Sequence, residues 1–249
     1  MKELPLFLRG ILVIAEKNIR IYYNKAPVFI FGLLFPLFMF LAFFIGRHLD
    51  LAAFFPGFLA MTLFFTASSV GPLITPWEKR DKTYERLLSY PVTLESIILG
   101  DIAAGAFFGL IITTLVWLIS SVFLHLAVGN PAILLAALLL GTVTFAALGT
   151  LLASPASDTP SNVMMLSSLV RFPLIFISGI FIPVSQMAGW GLILTYISPL
   201  TYLVDLFNTG LTGSSAFSPA ADCAALIIVI AVFILAARFI QARNLVKGL

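Results

Sequence analysis

The sequence has little that is reactive or charged. Of its 249 residues one is cysteine, two are histidine, and 10% are Asp, Glu, Lys or Arg. The lone Cys223 excludes an internal disulfide and any multi-cysteine metal site. His48 and His125 border apolar runs at predicted outer loops and read as solvated residues rather than ligands. Soluble domains carry roughly 25% charged residues, so this chain, 61% hydrophobic with a mean hydropathy of +1.10, is not a water-soluble globule. No G-x-x-x-x-G-K-[ST] phosphate loop occurs, which excludes ATP binding of that kind in this sequence. No low-complexity tract, linker or convincing repeat divides it, so one transmembrane domain over residues 1–249 is expected. The N-terminus also lacks a short apolar core followed by a small-residue cleavage site, so no cleavable signal is expected.

What charge there is lies in blocks. Twelve of the fourteen Lys and Arg residues fall in three segments: the first 25 residues (Lys2, Arg9, Lys17, Arg20, Lys25), then Lys79, Arg80, Lys82 and Arg86, and a tail with Arg238, Arg243 and Lys247. Arg47 and Arg171 stand apart. The pI near 9.1 reflects these loop segments and makes no phosphate-tracking stripe, so no nucleic-acid partner is expected. A spanning helix needs about 20 apolar residues, and six stretches qualify: 27–46, 52–74, 102–124, 131–153, 163–182 and 221–237. With both termini inside, the three basic blocks fall on the inner face, as cytoplasmic flanks require. The expected fold is all-α: a polytopic plasma-membrane protein with six transmembrane helices, N-in and C-in.

Two segments depart from a plain six-helix count. In residues 5–25, Arg9, Glu16, Arg20 and Asn24 recur at seven and four, which aligns them on one helical face. Such a wedge predicts an interfacial amphipathic helix over 1–25; a helix packed on neighbouring spans is the alternative. The segment 183–220 is too long for a turn and too apolar for a solvated loop, and Pro183, Pro199 and Gly191 break any spanning helix there. It predicts short re-entrant helices in the outer leaflet, their free backbone groups covered by protein.

The inner segment 77–100 is the one large polar surface between spans. On a helix over 77–91, Trp77, Tyr84 and Leu88 share a face with Leu87 beside them, and Glu78, Lys79, Arg80, Asp81, Lys82, Glu85 and Arg86 cover the rest. Glu78 and Lys82 make a favourable i,i+4 pair. Pro91 stops this helix, and Thr93 with Glu95 starts the next. A mixed-charge amphipathic helix between two spans suits docking into a partner's cleft; a merely solvated loop is the alternative.

These residues resemble the membrane subunits of type-2 ABC exporters. Glu78-x6-Glu85-Arg86-Leu87-Leu88-x2-Pro91-Val92-x2-Glu95, followed by Leu99-Gly100, looks like that family's first cytoplasmic loop and coupling helix. Ser178-Gly179-Ile180-Phe181-Ile182-Pro183, then Trp190, then Tyr196-x2-Pro199-Leu200-Thr201-Tyr202-x2-Asp205, is similar to its "SG-x-x-x-P … P-L-T-Y" signature. Lys82-Thr83 departs from the Gly-Thr that many relatives carry. The resemblance implies a permease without a catalytic site of its own, two copies of which work with two nucleotide-binding subunits that hold ATP and Mg. It places coupling at Glu78, Lys79, Arg80, Asp81, Lys82, Thr83, Tyr84, Glu85 and Arg86, and an outer re-entrant motif at Gly179, Pro183, Trp190, Pro199 and Tyr202.

Arg171 is the most unusual single residue, about nine positions inside the fifth expected span. Arg at a helix centre costs about 2.5–3.5 kcal/mol on insertion scales, so it faces either a substrate pathway, meeting an anionic group, or carbonyl and ionic partners within the bundle. Asp101 is expected to stay wet at the inner interface. Gly105-x-x-x-Gly109 permits close helix approach, and the phenylalanines around 29–44 read as lipid contact and packing. The expected function is export of an amphipathic, drug-like or lipid-like molecule. The alternatives are a polysaccharide or lipid-linked glycan exporter of the same family, a secondary transporter or channel, which would need intramembrane carboxylates or unwound midplane repeats, and a membrane hydrolase, for which the histidines are badly placed.

Overall fold

Backbone N–H and C=O groups cannot go unpaired in hydrocarbon, and an apolar chain satisfies them internally as helix. A computed structural model describes residues 3–23, 25–44, 51–124, 128–155, 157, 159–182, 184 and 187–246, and helices are the only regular elements among them apart from turns. Lys2, Asn24, Arg47, His48, His125, Pro183 and Lys247 lie outside the described residues.

The order is α1 (Glu3–Tyr22), α2 (Ala26–Phe29), a π-helical turn (Ile30–Leu34), α3 (Phe35–Phe44), α4 (Leu51–Ser69), α5 (Gly71–Arg80), α6 (Thr83–Leu88), α7 (Leu94–Leu124), α8 (Pro131–Ala153), α9 (Pro160–Phe176), α10 (Trp190–Ile197), α11 (Pro199–Thr212) and α12 (Pro219–Val246). Four stretches among the described residues are long and apolar enough to cross a bilayer: Phe54–Arg80, Leu94–Val122, Pro131–Ala153 and Pro219–Val246. A fifth is possible if α10 and α11, bent by 82° at their junction, count as one span.

The helix Phe54–Arg80 runs through the centre of the bundle; its apolar stretch is buried, and Arg80 at its end is exposed. Its core of Phe55, Leu59, Leu63, Phe64 and Phe65 meets Phe145 of α8 and Leu203 and Phe207 of α11. Close crossing depends on small residues. A Cβ on Gly71 would lie 2.5 Å from the Gly149 backbone, and one on Gly109 would lie 2.7 Å from Ala67. Gly105 and Gly109 thus both serve as the contact face of α7 on α4.

Several boundaries differ from the expected ones. The helix at the fifth expected span ends at Phe176 rather than at residue 182, after 17 residues. Ile177 caps it, and two residues on, Gly179 takes a left-handed φ of +87°. The third span begins earlier, at Leu94, so Asp101 lies in the second turn of α7. The helix expected over 77–91 is two helices. α5 ends at Arg80, Asp81 and Lys82 make a turn, and α6 has only six residues. Trp77 accordingly packs with Val28, Val70 and Ile74, away from the face shared by Tyr84 and Leu88.

Candidate functional site

At the end of the bundle that carries α6, polar side chains from five helices and from the C-cap of α8 meet. Glu78, near the end of α5, is buried, and its carboxylate pairs with Lys17 of α1. It does not form the expected pair with Lys82, because the turn at Asp81–Lys82 takes Lys82 away from it. One helical turn deeper, Asn18 of α1 donates to Asp101 at 2.7 Å, and Thr75 of α5 donates to the other Asp101 oxygen at 3.4 Å. Asp101 is therefore buried, not wet. Two side-chain donors and Lys17 beyond them offset part of its desolvation.

Tyr84 fixes α6 to this layer. It is buried with Ile14 and Ile97, flanked by Leu87, Leu88 and Val92. Its hydroxyl donates to Gln241 Oε1 of α12 at 3.3 Å. Gln241 Nε2 donates in turn to Ser154 Oγ at 3.1 Å, just beyond α8, and Asn244 Nδ2 to the Ser154 carbonyl at 2.9 Å. Burial, and then the nearby Asp101 and Glu78 carboxylates, push the Tyr84 phenol well above its ordinary value, so it remains a donor. Glu95, which the resemblance placed after Pro91, pairs with Arg238 of α12 at 2.9 Å.

The outward side of α6 is different. Asp81, Lys82, Thr83, Glu85 and Arg86 are exposed, as are Ser89 and Tyr90 beyond them. Thr83 Oγ1 donates to the Glu78 carbonyl at 3.2 Å, which closes the turn. Arg80 lies over the Trp77 ring and 3.3 Å from Asp81, and Lys79 lies over the Tyr84 ring. Lys82 has φ +56°, the one left-handed non-glycine residue among those described. This is the position where the resemblance leads one to expect glycine. Beside α6, between α1 and the strand of chain entering α7, Leu6, Phe7, Gly10, Pro91, Val92, Thr93 and Ser96 line an open groove of about 510 Å³.

The residues of the second motif lie elsewhere. Trp190 opens α10 and is exposed, while Pro199 opens α11 and is buried. The Tyr202 hydroxyl donates to the Tyr196 carbonyl at 2.6 Å, bridging the 82° bend, and both rings pack on Phe217. Asp205 accepts the N–H groups of Ala216 and Phe217, each at 2.8 Å. Arg171 is brought to neither group of residues. It is buried, and its Nη2 donates to the Ser68 carbonyl at 3.0 Å.

Sequence reasoning missed Asn18, Asp101, Ser154 and Gln241 as partners, and it missed that Asp222 is buried. Asn18 offered a signal: a polar residue on the face of α1 opposite the charged wedge. Gln241 and Ser154 offered none, since polar residues beyond span ends are common.

The family model described as "ABC-2 type transporter" matches residues 9–211. The inner membrane transport permease YadH of Escherichia coli K12 and the protein of the same name from Shigella flexneri are each 27% identical to this chain over 135 residues, 54% of this chain and 52% of theirs. The chain spans about half the length of the curated relatives it matches. With the family match reaching from α1 through nearly all of α11, and four described stretches long and apolar enough to cross a bilayer, this chain belongs to the ABC-2 type transporters.

Proposed function

We propose that this chain is the permease subunit of an ATP-driven exporter, and that α6 is the element on which a separate ATPase subunit acts. One observation carries the reading. α6 offers exposed Glu85 and Arg86 on one side and is fastened on the other, through Tyr84, to Gln241 of α12 and thence to Ser154. A displacement applied to the exposed side is therefore passed to α8 and α12 through short, buried links rather than absorbed by a slack loop. The proposed coupling set is Glu78, Lys79, Arg80, Asp81, Lys82, Thr83, Tyr84, Glu85 and Arg86. Glu78 and Tyr84 are its inner anchors, and the exposed members make the contact.

In this reading the α6 end is cytoplasmic, both termini are inside, six spans make one domain, and α1 lies along the inner interface. α10 and α11 form the outer re-entrant pair. Two copies assemble with two ATPase subunits, which hold ATP and Mg, and lipid surrounds the exposed apolar faces. The cargo is amphipathic and lipid-like or drug-like, since, of the buried ionisable groups, Glu78, Asp101, Arg171 and Asp205 already have protein partners, which leaves Asp222 without a donor among the described residues.

The test is purification of tagged chain with its ATPase. Glu85→Ala combined with Arg86→Ala should reduce recovery of the ATPase, or cargo-stimulated hydrolysis, several-fold while leaving the chain's own thermal midpoint unchanged. Full recovery, coupling and export in that variant would overturn the docking role. A second reading, an ion-coupled carrier, is favoured by one feature: Asp222 is fully buried close to Asp205, and neither of its oxygens has a donor among the described residues. It expects uptake into vesicles by the chain alone under an imposed proton gradient.

A further inference from the structure

Pro72 has no N–H, so the carbonyl four residues earlier, that of Ser68, loses its helical donor. Ser68 is fully buried near the middle of the long helix Phe54–Arg80, where bulk water does not supply a substitute. The backbone adjusts locally: the Leu73 N–H turns to the Val70 carbonyl at 3.1 Å, beside the ordinary helical bond from Ile74 at 3.2 Å. Neither reaches Ser68. The Arg171 guanidinium does so from α9, at 3.0 Å. On another side the Ser68 carbonyl is covered by Gly149 of α8, so closely that a Cβ there would lie 2.7 Å from the oxygen.

The surroundings of Arg171 leave little room for a cargo group. Ser69, Pro72, Met164 and Ser168 enclose a recess of about 10 Å³ beside it, at the lower limit for a single water. Arg171 Nε has no partner among the described residues, and such a water would satisfy it. A guanidinium suits the position better than an ammonium, because it is planar, only weakly hydrated and able to donate from a fixed fork.

We propose that Arg171 is a positioning residue: it supplies the hydrogen bond that Pro72 removes and so clamps α9 to the bend between α4 and α5. The clamp stands on this geometry alone. Its consequence for transport rests on the coupling role proposed for α6, since α5 leads directly into α6 and the bend sets where α6 lies.

A double substitution tests the clamp. Arg171→Met should lower the thermal midpoint of the detergent-purified chain by about 5 °C or more, because it removes a charge-assisted bond and leaves a buried carbonyl unpaired. It should also speed amide exchange at Leu73, Ile74 and Thr75. Pro72→Ala restores an N–H to the Ser68 carbonyl. In the Arg171→Met background it should therefore recover at least half of the lost midpoint and slow that exchange again. Arg171→Lys, which keeps a donor, should fall between parent and Met variant. Should Arg171→Met not accumulate, recovery of folded protein on adding Pro72→Ala becomes the same test. A Met variant as stable as the parent overturns the clamp, as does a double variant no better than Met alone. If the double variant regains stability and still fails to stimulate the co-purified ATPase with cargo, the positional role is overturned and a direct role toward cargo takes its place. Recovery of the ATPase on purification reports on the α6 reading separately.

Discussion

At the α6 end, side chains join elements far apart in the chain: Lys17 to Glu78, Asn18 to Asp101, Tyr84 to Gln241, and both Gln241 and Asn244 to Ser154. At the opposite end the polar bonds are mainly backbone caps and turns. The Asn130 N–H meets the Gly210 carbonyl at 2.9 Å, the Asn130 side chain caps α8, and Asp205 holds the 216–217 turn. A cap fixes one turn and goes no further. A chain of side-chain bonds between helices forces them to move together or to break. The first arrangement suits a part that must stay shaped while its surroundings change, and the second suits a part that receives a displacement and passes it on.

The largest break in this contrast should come from Lys17→Met, which leaves the Glu78 carboxylate buried without its cation. Breaking a buried pair from one side costs about 3 kcal/mol or more, so the thermal midpoint in detergent should fall clearly. Adding Glu78→Gln should return most of the loss, since no uncompensated charge then remains. If the single variant unfolds at the parent's midpoint, the pair is a solvated surface contact, and this end is not tied as described.

A milder substitution separates fastening from packing. Tyr84→Phe keeps the ring among Ile14 and Ile97 and removes only the hydroxyl bond to Gln241. Its cost should be about 1 kcal/mol in stability, with a larger proportional loss of cargo-stimulated ATPase activity. The pH dependence has a fixed sign. Because the folded phenol titrates above its ordinary value, the folded state holds more protons than the unfolded one at alkaline pH. The contribution of Tyr84 is thus complete below the ordinary tyrosine range and declines as pH rises through the folded value. The Phe variant should lack that alkaline decline in an unfolding titration.

The spans were legible in the sequence where a long apolar run had nothing to interrupt it. The stretch 131–153 coincides with α8, and 221–237 lies within α12. The coupling segment was legible as a location but not as a shape, because periodicity alone carried a helix through Asp81 and Lys82. The competing cause was a left-handed turn that no glycine or proline announced. Asp101 was misplaced for a related reason. Its burial depends on Asn18 and Thr75, which a pattern within α7 cannot reveal. Arg171 showed as an anomaly from its residue type alone. Its partner could be read only from three dimensions, even though the vacancy at Ser68 follows from Pro72 four residues on.

The smallest effect offers the sharpest comparison between the two ends, through one turn residue at each: Lys82 at φ +56° in the α5–α6 turn, and Gly213, one of three positive-φ glycines among the described residues, at φ +77° closing α11. A non-glycine residue there costs about 1 kcal/mol, and glycine costs little. Lys82→Gly should therefore raise stability by a few tenths of a kcal/mol up to about 1, once the extra freedom of glycine in the unfolded chain is subtracted. Gly213→Ala should lower it by a similar amount, although nothing within 4 Å would clash with the added Cβ. The functional outcomes should diverge where the stability effects mirror one another. A more relaxed turn at Lys82 adjoins the links from Tyr84 and Glu78 and should alter the coupling of ATP hydrolysis to cargo, whereas Gly213 caps a helix whose end meets α8 through a backbone bond from Asn130 rather than through a chain of side chains. Equal changes in coupling from both variants would show that the two ends respond alike, and the distinction between a transmitting end and a shape-keeping end would have to be abandoned.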